Sequence, residues 1–109
     1  MKTARYTKFF VVAIAGVLLA GKTFGSQSDI FSSQISPIFQ KNCVSCHGER
    51  VMRSGLDLRS LQSVMKGGNR GPVIVPGSPE KSLLMKLIRQ EQEPAMPLGG
   101  KLSEAEIAL

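Results

Sequence analysis

The chain has 109 residues, 42% hydrophobic and 20% charged, with 14 Lys+Arg against 8 Asp+Glu for a formal net charge of +6. Four basic residues (Lys2, Arg5, Lys8 and Lys22) fall in the first 25 positions, which leaves 10 basic and 8 acidic residues, a formal +2, for the rest. That scattered balance, with only 6% aromatic residues and no interleaved stacking platform, argues against a nucleic-acid partner.

Residues 1–25 read as a cleaved secretory signal peptide. Lys2, Arg5 and Lys8 form a charged start, Phe9 to Ala20 is an unbroken apolar run, and small residues around Thr23-Phe24-Gly25 put cleavage near Gly25. The run is shorter than the roughly 20 residues a membrane span needs. Membrane attachment is therefore expected only if the peptide stays on, and no cysteine follows directly to take a lipid anchor. The expectation is an exported protein, periplasmic or otherwise extracytoplasmic. Residues 26–109 then form one domain, at a size where a single apolar core is barely sufficient.

Ser36-Pro37 reads as a helix start, with serine as N-cap and proline at the first helical position. Ile30, Phe31 and Ile35 precede it as a further turn packing nearby. The helix runs into Cys43-Val44-Ser45-Cys46-His47, which holds both cysteines and the only histidine of the chain. C-x-x-C-H is the pattern of a c-type haem attachment site. Two cysteines at this spacing reach the two vinyl groups on one porphyrin edge, and the histidine after them is drawn under the iron. A structural zinc site needs four ligands, and the run offers three. A thioredoxin-like pair expects a βαβ setting that is missing. A Cys43–Cys46 disulfide would suit an oxidising compartment but leaves His47 without a purpose.

Gly48 suits a sharp exit from the motif, and 49–54 reads as an exposed polar loop. Ser60 caps a short helix through Met65 that Gly67-Gly68 ends. Val73-Ile74-Val75 reads as an extended segment without a partner strand. Ser78-Pro79-Glu80 opens the clearest helix, whose Leu83, Leu84, Leu87 and Ile88 make a one-sided apolar stripe that serves as core and as haem contact together. Pro94 and Pro97 bracket Ala95-Met96 in a rigid loop. Ser103 and Glu106 make a capping box for a last helix that stops at Leu109.

These pieces resemble the c-type cytochrome family, and more closely its planctomycete-type domain. Ser36-Pro37-Ile38-Phe39, Asn42 to Gly48, Gly55-Leu56-Asp57-Leu58-Arg59, Val75 to Leu84, Met96-Pro97 and Leu102 to Ile107 carry the likeness over nearly all of 36–109. The Pro-Gly-x-Pro-x-x-Ser-Leu run at 76–83 is its most particular part. The resemblance implies an all-α, small cytochrome c-like fold of short helices wrapped around one covalently attached haem c. It implies His47 as proximal ligand and a methionine as distal one. The family's final helix continues with apolar and aromatic residues; here it is cut short at Leu109, so an incomplete C-terminal helix is expected.

Of the methionines after the leader, Met52 lies too close to His47 to cross to the opposite haem face. Met65 and Met85 sit in predicted helices, where methionine usually fills core gaps. Met96, in its bracketed loop, is the distal ligand that both the residues and the resemblance select. The cofactor-binding set is thus Cys43, Cys46, His47 and Met96, the last two on the metal. With His47 on iron no histidine remains as general base, and neither a Ser/His/Asp set nor a Cys/His nucleophile can be assembled. The expected function is one-electron transfer between redox partner proteins. The alternative is a haem-based ligand-binding or sensing module with an open or displaceable sixth site. A haem-free exported domain with a Cys43–Cys46 disulfide is a further one, and a haem enzyme such as a peroxidase a weaker one.

Overall fold

The first helical segment is longer than the Ser36-Pro37 signature predicts. In the computed structural model, which describes residues 26–109, helix starts at Gln27: α1 (Gln27–Ile30) passes through a wide π turn (Phe31–Ile35) into α2 (Ser36–Asn42). The expected signal peptide lies outside the described residues. Ser36 is already helical, at φ −55° and ψ −42°, and makes no capping bond. Pro37 has no N–H for the turn before it, and its ring crowds the carbonyl four residues back. The wide turn absorbs that mismatch, with the Ser36 N–H reaching back to Phe31 O. Ser-Pro therefore marks a change of pitch within a helix that begins earlier.

The segment's inner face builds the core. Phe31 and Phe39 meet edge to face, with ring centroids 6.1 Å apart, and close a buried cluster with Leu58 and Val64. Ile35, Cys43, Val44, Leu56, Leu61, Ile74 and Leu84 pack against it. An aromatic pair of this kind contributes about 0.5–1.5 kcal/mol beyond its buried area, a useful increment in so small a core.

The rest is short helices and turns; among the described residues the only β features are isolated bridges, His47 with Met52 and Gly68 with Gly71. The all-α expectation therefore stands. α3 (Leu61–Lys66) has the ends expected of it: Ser60 and Ser63 form a reciprocal capping box, and Gly67 at φ +78° takes the chain out. Val73 to Val75 forms no strand, with Val73 at a bend, buried, and its carbonyl accepting from Leu84 N–H at 3.0 Å.

The helix expected from Ser78 is broken in two. Pro79–Lys81 is a 3-10 turn and α4 (Leu83–Ile88) starts after it. Ser82 stands between them, 2% exposed, with its hydroxyl turned away from the helix. It accepts from Val75 N–H at 2.9 Å and lies 3.1 Å from Ser78 O. Satisfying those backbone groups holds this segment against α4, and that placement replaces a helix cap. α5 (Glu104–Ile107) carries the Ser103–Glu106 capping box. Glu106 also lies 3.8 Å from Lys41 Nζ, which links α5 to α2. No helix among the described residues is long and apolar enough to cross a membrane.

Candidate functional site

The five motif residues continue α2 as a tight turn. Cys43 and Val44 N–H both donate to Phe39 O, at 2.8 and 3.0 Å, and Cys46 and His47 N–H both donate to Cys43 O, at 3.0 and 2.9 Å. Because Phe39 is a core residue, the motif inherits its position from the core. Both cysteines are free thiols and half-buried, and burial pushes the Cys43 thiol above its ordinary pKa, favouring the neutral form.

His47 is held from several sides. Its carbonyl accepts from Leu58 N–H at 3.0 Å, and Arg53 N–H reaches the neighbouring Cys46 O at the same distance. Its ring Nδ1 lies 3.1 Å from Arg53 O. A carbonyl can only accept, so Nδ1 is the protonated nitrogen, and Nε2 keeps its lone pair for a metal. A ligating histidine commonly has such an outer partner, which fixes tautomer and ring orientation. Gly48 stands in the bend that takes the chain out of the motif, and a Cβ there would stand 2.5 Å from Val44 O. The constraint is close approach of backbone.

Beyond the motif, Arg59 bridges Asp57 and Glu49, each at 3.0 Å. Its hydrogen bond holds the Asp57 carboxyl below its ordinary pKa. The bridge ties the stretch after His47 to the one after Leu56.

Cys43, Cys46 and His47 line a cavity to which α4 and the loop after it also contribute. Leu83, Leu84, Leu87 and Ile88, the whole predicted stripe, line it, as do Leu56, Leu58, Val73 and Met96. The cavity volume is about 190 Å³, below the roughly 300–1,000 Å³ usual for cofactor sites. Met96 is half-buried and alone among the described methionines lines this cavity; Met52 and Met65 are exposed, 49% and 43%. Its N–H donates to Leu87 O at 3.0 Å.

Sequence reasoning missed the rim. Arg53 and Arg70 are the charged lining residues besides the histidine, both exposed, and single arginines in polar loops give no signal of their own. It also missed Ser82, whose partners exist only once the 75–82 loop has closed. The donor set, two thiols, an imidazole and a thioether around an apolar space with cations at its mouth, fits a flat apolar macrocycle that carries a metal and carboxylates.

A family model described as Planctomycete cytochrome C matches residues 43–97, half of the chain, from the first motif cysteine to the proline after Met96. No curated protein and no solved structure matches the chain significantly.

Proposed function

The chain belongs to the planctomycete cytochrome c family, and on that footing we propose that it is an exported mono-haem carrier of single electrons, with His47 and Met96 as axial ligands. The observation that carries this reading is the meeting of Cys43, Cys46, His47 and Met96 on one largely apolar cavity. Haem bound there supplies an iron that alternates between ferric and ferrous states.

The chain's own residues do the rest. Cys43 and Cys46 would hold one edge of the macrocycle through thioether bonds. The bond from His47 Nδ1 to Arg53 O fixes the ring's orientation and leaves Nε2 free to bind. The Met96 thioether, a soft donor, would favour the reduced metal and raise the potential. The leucines of α4 with Val73 and Ile88 exclude water, and Arg53 and Arg70 offer positive charge to the carboxylates at the mouth. Donor and acceptor are separate redox proteins in the periplasm or another extracytoplasmic space, and the haem is the only group that changes state.

The test is a reduced pyridine haemochrome spectrum of the protein exported alongside a haem-attachment system, recorded after acid-acetone extraction. The reading expects a c-type band that survives extraction in the parent and is lost in the Cys43→Ala/Cys46→Ala double variant. A colourless parent, or haem that extracts freely from it, overturns the reading.

A further inference from the structure

The loop that carries Met96 is tied to α4 at two points. At the helix end, Gln90 N–H donates to Leu87 O at 3.1 Å and Glu91 N–H to Lys86 O at 2.9 Å. This is the Schellman pair of bonds, which puts the residue beyond the cap in the left-handed region, where glycine is the usual occupant. The occupant here is Gln90, at φ +61°, so a side chain is kept where its Cβ is strained. That side chain has a use: Gln90 Nε2 donates to Gly100 O at 3.2 Å, across ten residues of chain. Between the two anchors, Leu87 O accepts a second bond, from Met96 N–H. The incoming limb of the loop is therefore tied to α4 by backbone alone. The outgoing limb, through Pro97 and the exposed Leu98, Gly99 and Gly100, is held by Gln90.

We propose that Gln90 is a positioning residue for Met96: its side chain straps the outgoing limb to the end of α4 and so keeps the thioether in the cavity. The inference rests on the reading of Met96 as axial ligand. It explains a residue choice that the helix end alone does not. Glycine at this position would complete the same two helix-end bonds without strain and would leave Gly100 O without this partner.

The two roles separate in Gln90→Gly. That variant relieves the backbone and removes the strap, so it should unfold no earlier in denaturant than the parent. Its ferric holoprotein should nevertheless bind imidazole, which competes with Met96 for the iron, about fivefold more tightly, the size expected for one hydrogen bond. The Met96 amide should exchange its hydrogen faster by a similar factor, a readout that does not involve iron. Gln90→Glu keeps the side-chain length and the strain but has no N–H to give, and should show the same two changes. Parent-like imidazole affinity and Met96 exchange in both variants overturn the strap and leave Gln90 as a helix end only. A parent that binds imidazole as tightly as Met96→Ala contradicts the ligand reading itself, and the strap falls with it.

Discussion

The two sides of the cavity are built on different plans. On the His47 side two restraints lead back to the core: the motif hangs from Phe39 O and the histidine carbonyl is bonded to Leu58 N–H, while the ring is bonded to the backbone of the exposed Arg53. Phe39 and Leu58 are themselves buried cluster members, 6% and 2% exposed. On the Met96 side the restraints are a few hydrogen bonds between a loop and one helix end, with Pro94, Leu98, Gly99 and Gly100 all exposed. The free energy that holds His47 is that of the fold as a whole. The free energy that holds Met96 is local, and local bonds open far more often than a domain unfolds. A donor held by the core on one side and a donor held by local bonds on the other is the arrangement this predicts.

The hardest blow to the comparison is Phe39→Ala, which removes the aromatic that joins core and motif. A loss of about 3–5 kcal/mol is expected in a denaturant titration, with both sides of the cavity failing in one transition. Unfolding of the Met96 loop alone would contradict the linkage of the motif to the core.

Two glycines sharpen it further, one on each side. Gly48→Ala drives a Cβ to within 2.5 Å of the Val44 carbonyl, a backbone atom with little room to move, and should destabilise by about 1–3 kcal/mol. Gly99→Ala meets no atom within 4 Å; its cost is the strain of φ +74°, about 1 kcal/mol. Thermal or denaturant unfolding of the pair gives the order, and the reverse order would mean that the loop is packed as tightly as the motif.

The smallest effect lies in acid. Glu106 accepts from Ser103 N–H at 2.9 Å, and that bond holds its carboxyl below the ordinary glutamate value. A folded-state pKa that is depressed adds stability above the unfolded value, and this is lost as pH falls through the folded one. Glu106→Gln should therefore be less stable than the parent at neutral pH and equal to it in strong acid. A difference that persists through strong acid would mean that the charge is not what matters.

Features that depend on neighbours in sequence were legible. The ends of α3 follow from Ser60 and Gly67, the stripe of α4 from the spacing of its leucines, and the capping box of α5 from Ser103 and Glu106. The motif named its chemistry because five adjacent residues hold all the donors on that side. What stayed hidden depends on closure of the chain. Ser-Pro has the same local preference at a helix start and after a wide turn, so the helix from Gln27 could not be told from one starting at Ser36. Ser78-Pro79-Glu80 opens a turn that stops where Ser82 reaches back to Val75. Gln90 lacks the glycine that would have marked the end of α4. Met96 could be selected by elimination, while its partner Leu87 and the strap opposite it come from the tertiary fold.

The central claim is that Met96 and His47, which line one cavity, would both bind the iron of a covalently held haem. Carbon monoxide titration of the reduced holoprotein, parent beside Met96→Ala, tests it most directly. The account predicts a parent that resists the gas and a variant that binds it readily, with the haem still attached in both. A parent that takes up carbon monoxide as readily as the variant would contradict it.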